Sequence, residues 1–326
     1  MKKNKTLILY IMAGLCLAAF LFFKVFSGVE DPAVRSQARR ASQFMARATA
    51  AIRDCRLKKG IPIDPKADPN RTGLIGLPTS SITTSLGILE AKRTTTNPAF
   101  ADLLVRLLHR AGVRPGDAVA VGASSSFPAL ILAVLSACRA MDVEPLVISS
   151  LGSSEWGANI PEFNGLDMMD CLNATGSLTV HPLAFSIGGD EDRGKDMSPD
   201  GRALLLREAG ARRLSLLEEP DLASTVAARM RLYDQSAGGK RIKAFINVGG
   251  SWVNLGVDSK VLGVKPGLNM KGGPAEITSF PPPERSGIIF AMARRGIPVI
   301  HLLFIRGLCR DYGLPWDPQP LPLPTE

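Results

Sequence analysis

Apolar and polar positions alternate along this chain in three distinct rhythms. One run, residues 7–23, is apolar throughout and carries no formal charge; Lys2, Lys3 and Lys5 precede it and Lys24 closes it. A helix over residues 6–24 rises about 1.5 Å per residue, which is marginal but sufficient to span a bilayer. A second rhythm is helical. Ala38, Ala41, Met45, Ala48 and Ile52 recur at helical spacing between arginines and predict a basic helix over 32–59. Phe100, Leu103, Leu104, Leu107 and Leu108 give an apolar face over 98–112, with Asn97 as candidate cap and Pro98 in the first turn. Further helices are predicted over 164–175, 199–214 and 217–234. The third rhythm is a set of short, mostly apolar runs at 118–121, 145–150, 245–248 and 298–303, which read as strands.

The run at 118–121 is followed by GASSSFP and then by the helical stretch 129–141, before the strand candidate at 145–150. Strand, Gly/Ser turn, helix, strand is a βαβ unit. The same strand-then-glycine pattern returns at 245–251. The fold expected is α/β: an open, mostly parallel, Rossmann-like sheet flanked by helices and preceded by one transmembrane helix. The organisation expected is a cytoplasmic N-terminus (1–5), an anchor (6–24) and a basic juxtamembrane helix (25–59). An α/β body (60–315), divisible into two subdomains near 180–200, and a proline-rich tail (316–326) follow.

The anchor changes where the body should sit. Lysines ahead of the apolar run favour a cytoplasmic N-terminus, giving a single-pass protein of the cytoplasmic membrane with its main domain outside. A cleaved signal peptide competes with this reading, although Val25 and Ser27 offer only a weak cleavage site. The formal charge is +9; the anchor region holds four lysines, leaving 35 basic against 30 acidic residues elsewhere. Such a mild excess suits an anionic polymer or a lipid surface. Sparse aromatics and the lack of any recognition motif argue against nucleic acid. The cysteines are Cys16, Cys55, Cys138, Cys171 and Cys309, without CxxC spacing, and there are only three histidines, so no metal site is expected. A single glycine in GASSSF does not make a dinucleotide fingerprint, and no cofactor is expected.

Candidate chemistry gathers at the polar turns. Hydroxyls and N–H groups at a helix N-terminus can cap the helix, bind anions or supply a nucleophile. GASSS has the form G-x-S-x-S, near the hydrolase elbow pattern without its last glycine, and Ser124 fits the nucleophile register. His181 or His301 is the candidate base, with Asp167, Asp190 or Asp192 as orienter. Gly122, Ser125, Ser126, Ser154, Glu155, Trp156, Asn159, Gly249, Gly250, Ser251 and Asn254 are the candidate substrate-binding residues, and Trp156 and Trp252 candidate cleft walls. Ser80, Ser81, Thr83, Thr84 and Ser85 are further polar candidates. The acidic stretch around 190–196 lacks the spacing of a Ca²⁺ loop and reads as a solvated loop.

Three stretches, TSSITTSLGILEAKRTTTNPAFADLLVRLL (79–108), VAVGASSSFPALILAVLSA (119–137) and ISSLGSSEWGANIPEF (148–163), together with NVGGSWVNLG (247–256) and GIPVIHLL (296–303), resemble the poly-gamma-glutamate system proteins. The resemblance covers roughly residues 30–315. One departure is Asn164-Gly165, where a Thr-Trp-like pair is expected. The resemblance implies a membrane-anchored, extracytoplasmic accessory of poly-γ-glutamate synthesis or export. Its partners would be that polymer or another polyanion, membrane synthase or export subunits, and the lipid bilayer. It supplies no catalytic residues. The alternatives are a serine-dependent amidohydrolase or transferase acting on γ-glutamyl bonds, and a purely structural synthase subunit.

Overall fold

The computed structural model describes residues 10–17 and 30–322. Two compact units divide the chain, residues 1–36 and 37–326. In the first, residues 10–17 are helical. No helix among the described residues is long and apolar enough to cross a membrane. This corrects the expected transmembrane helix over 6–24. With it go the support for single-pass cytoplasmic-membrane topology, for an extracytoplasmic body, for a bilayer partner and for the membrane-anchored accessory role. The rest of that apolar run, residues 7–9 and 18–23, lies outside the described residues, as do 1–5 and 323–326.

The longest helix among the described residues, α1 (Pro32–Lys58), has length enough but is studded with arginines. Its buried positions include Ala38, Ala41, Met45, Ala48 and Ile52, the stripe set by the helical spacing. A disulfide between Cys55 and Cys171 ties its C-terminal end to α5 (Gly165–Thr175). Two short helices follow, α2 (Leu89–Thr95) and α3 (Ala99–Arg110), the latter burying Phe100, Leu103, Leu104, Leu107 and Leu108.

The sheet is α/β and mostly parallel. Strand β1 (Ala118–Ser124) is buried along its whole length, as a central strand covered on both faces must be. It leads into α4 (Pro128–Met141), whose first residue is a proline already set for a helix start. Next come β2 (Glu144–Ser150), a small hairpin of β3 (Asn159–Ile160) and β4 (Phe163–Asn164), α5, and β5 (Ala184–Ser186). The second half contains α6 (Pro199–Ala211), α7 (Leu222–Ser236), β6 (Ile242–Val248) and α8 (Trp252–Leu255). It continues through β7 (Gly267–Asn269), α9 (Ile288–Arg294), β8 (Val299–Leu302) and α10 (Ile305–Tyr312).

Strand order is β5-β2-β1-β6-β8-β7, with all pairs parallel except β7 with β8. The chain builds outward from β1 to β5, then returns to the other side of β1 with β6. That reversal is the topological switch point, where crossovers diverge and leave a crevice at the carboxyl ends of the strands. One apolar cluster, around Tyr233, Phe245 and Phe290, supports the β1/β6 half; the Tyr233 hydroxyl donates to the Val121 carbonyl at 2.9 Å. A second, around Ile82, Leu166, Phe185 and Leu205, supports the edge beside β5.

Candidate functional site

A cleft of about 1060 Å³ opens at the carboxyl ends of the strands. Its floor carries Ser124 at the end of β1 and Ser126 after it, Ser150 at the end of β2 and Ser154 after it, and Lys92 from α2. Gly188, Gly189, Asp190, Asp192 and Asp196 stand on the β5 side. Gly250, Ser251 and Trp252 follow β6, and Phe304 and Arg306 follow β8. Exposed Leu86, Ile88 and Phe304 make the mouth apolar. The tail adds Trp316, held there because Asp317 pairs with Arg93 of α2 and its N–H donates to the Thr94 hydroxyl at 2.8 Å.

Lys92 is the unusual group. It faces inward from a short helix and is only 4 % exposed. Its Nζ donates to the Ser126 carbonyl and, at 2.8 Å, to the Ser154 Oγ. The amine also lies 3.8 Å from the centroid of the Phe127 ring, whose π face offsets part of the lost hydration. Burial pushes its pKa down to about 7, opposed by the charge of Glu155. Glu155 is itself held by the Gly87 N–H at 2.9 Å. A lysine so placed is divided between ammonium and free amine near neutrality, whereas an exposed one is almost wholly ammonium.

The serines lock this lysine in register. The Ser124 Oγ donates to the Ser126 Oγ at 3.0 Å, and that same oxygen accepts the Ser154 N–H at 2.9 Å. The turn after β1 and the loop after β2 are thereby joined twice, once through the Ser126 hydroxyl and once through Lys92. Gly157 belongs to the same joint: a Cβ there would lie 2.3 Å from the Ser153 Oγ and 2.7 Å from the Ser126 carbonyl.

Several predicted site residues therefore converge: Ser124, Ser126, Ser154, Glu155, Gly250 and Ser251 line one cleft, with Trp252, Thr84 and Ser85. Others support it from behind. The Ser125 hydroxyl turns away and donates to the Ser150 carbonyl at 2.8 Å. Gly122 admits Asn254, whose Nδ2 donates to its carbonyl at 3.0 Å; a Cβ at Gly122 would lie 2.5 Å from that nitrogen. Gly249 adopts a φ of 81°, open to glycine. Asn159 is buried and holds the 77–83 segment through Leu77 and Thr83. Trp156 sits at a φ of 62° outside the cleft, so only Trp252 of the paired tryptophans walls it.

The two candidate histidines lie elsewhere. His301 is buried on β8 with its Nδ1 3.0 Å from Asn247 Nδ2, and burial lowers its pKa to about 4. It is neutral at pH 7 and bonded to no serine. His181 is exposed ahead of β5 and does not line the cleft. Of the candidate orienters, Asp167 caps α5 and pairs with Lys59 and Arg212. Asp190 is exposed at the cleft edge. Asp192, expected in a solvated loop, is buried against Arg229 and Ser186, because Arg229 is fully enclosed and needs a counter-charge.

Sequence reasoning missed Lys92, Arg306 and Trp316. Among the described residues no group of three or more His, Cys, Asp or Glu is placed to hold a metal ion. Comparison with known proteins adds no relative: no family model, curated protein or solved structure matches this chain.

Proposed function

We propose that the switch-point cleft performs acyl transfer on a carbonyl substrate, with Ser154 as nucleophile and Lys92 as its base. The observation that carries this reading is the 2.8 Å contact between the Ser154 Oγ and an amine whose pKa burial has brought to about 7. Serine needs a neighbour to take its proton, and a desolvated lysine is one of the groups able to do so. As the Ser154 Oγ bonds to the substrate carbonyl carbon, its proton passes to the Lys92 lone pair. The ammonium then returns that proton to the leaving amine or alkoxide as the C–N or C–O bond breaks. Water repeats the sequence on the acyl-serine, releasing a carboxylic acid and restoring the hydroxyl. Ser124 and Ser126 act as positioning residues, because Ser126 fixes the Ser154 backbone and accepts the second Lys92 hydrogen bond.

The test is covalent labelling with a fluorophosphonate, followed by mass-spectrometric mapping. The adduct is expected on Ser154, with a rate that climbs through a midpoint near pH 7. Lys92→Met should slow it by about 10² or more, the scale of general-base assistance. An adduct on another residue, or none on Ser154, ends this assignment.

Kinship with the poly-gamma-glutamate system proteins, and an anionic polymer or a synthase subunit as partner, are separate proposals. They rest on the sequence runs quoted above. Retention of the purified chain on immobilised poly-γ-glutamate at low salt tests the polymer; failure to bind removes it.

A further inference from the structure

The cleft carries unlike charges at its two ends. On the β5 side Asp190 and Asp196 are exposed, and neither has an ion-pair partner among the described residues. The nearby Lys195 is already paired with Glu191, and the Asp192 charge is answered by Arg229. Asp196 Oδ1 accepts the backbone N–H of Asp190 at 2.9 Å, which ties the Asp196 carboxylate to the turn that carries Asp190. On the β8 side Arg306 is exposed, with its guanidinium 4.6 Å from the Trp316 ring and no carboxylate partner among the described residues. A guanidinium stacked on an aromatic face keeps its in-plane donors free for a planar carboxylate.

The strand order fixes how far apart these ends are. From β5 to β8 is four strand steps, or about 19 Å at the usual inter-strand spacing. An extended chain rising about 3.3 Å per residue covers that distance in five or six residues. Between the charged ends lie the Lys92–Ser154 pair on the floor and Leu86, Ile88, Trp252 and Phe304 along the walls. From this arrangement we infer that the cleft takes a short peptide-like chain bearing opposite charges at its ends, ammonium toward Asp190 and Asp196, carboxylate toward Arg306. This inference rests on the acyl-transfer reading for what happens to the chain, and on charge placement alone for how it binds.

Binding is therefore measured apart from chemistry, by calorimetry on the full-length Ser154→Ala protein. The probes are pentaalanine with free termini, its N-acetylated form, its C-amidated form and the doubly blocked peptide. The free peptide should bind tightest. Each blocked terminus should weaken binding about fivefold, the size of one solvent-exposed ion pair. Arg306→Ala should erase the difference between acid and amide, leaving that between amine and acetyl. The double change Asp190→Asn and Asp196→Asn should do the reverse. Equal affinity for all four peptides, or no binding by any, overturns the inference while leaving fluorophosphonate labelling of Ser154 untouched. Charge-dependent binding without labelling would instead uphold the inference and sink the dyad.

Discussion

Replacing Lys92 by methionine should change how stability depends on pH, and the sign follows from its burial. In the unfolded chain this lysine keeps its ordinary pKa of 10.5; in the native cleft the value is about 7. Between those values the unfolded chain binds a proton that the folded protein does not, so native stability rises with pH there, by about 1.4 kcal/mol per pH unit. Below pH 7 both states are protonated and the cost of the buried ammonium is fully present; above 10.5 it is gone. Lys92→Met has no such proton. Its loss of two hydrogen bonds, to Ser126 and Ser154, costs roughly 1–3 kcal/mol and to first order shifts stability by the same amount at every pH. Urea denaturation of both proteins at pH 6 and pH 9 isolates the effect, because every other titration is common to both. The wild type should gain roughly 3 kcal/mol on the variant over that interval. A stability difference that stays flat within about 0.5 kcal/mol would refute the depressed amine, and with it the base assigned to Ser154.

Two further perturbations test the frame around the cleft. Cys55→Ser removes a cross-link spanning 116 residues, and should cost about 4–5 kcal/mol by the loop-entropy estimate; denaturation of the wild type with and without reductant should show a similar gap. Asp192→Asn leaves Arg229 fully buried without a counter-charge and should lose about 3–5 kcal/mol, measured by denaturant midpoint, whereas the joint change Asp192→Leu and Arg229→Met should recover most of it.

What could be read from the sequence was what depends on local pattern. The run at 118–121 is apolar throughout and that at 245–248 is broken only by Asn247, because both faces of the central strands are covered, and they mark β1 and β6 directly. The stripe of α1 and the apolar face of α3 were equally plain, since each buries one side of a regular helix. Ser124, Ser126, Ser154 and Gly250 could be assigned to one crevice because a parallel sheet gathers the ends of its strands. The apolar run, by contrast, predicts a membrane span, and no helix among the described residues is long and apolar enough to be one.

Lys92 escaped for a physical reason. On α2 it is three residues after half-buried Leu89 and three before buried Thr95, so the helical period places it on the inward face. A pattern scored by hydrophobicity discards a lysine at that position, because burying one normally costs more than a surface helix can offset. Here the cost is met by Phe127 beneath the amine, by the Ser126 carbonyl and by Ser154, none of which is near it in sequence. Only the fold brings them together. The histidines illustrate the converse: His301 is the residue type that motif reasoning seeks, yet β8 points it at Asn247, and its neutral ring has no serine to serve. The usable signal was a charged residue in phase with a buried face, next to a turn rich in hydroxyls. Such a residue is a functional-site candidate, and the loop after β2 gives this amine the Ser154 hydroxyl within hydrogen-bonding reach.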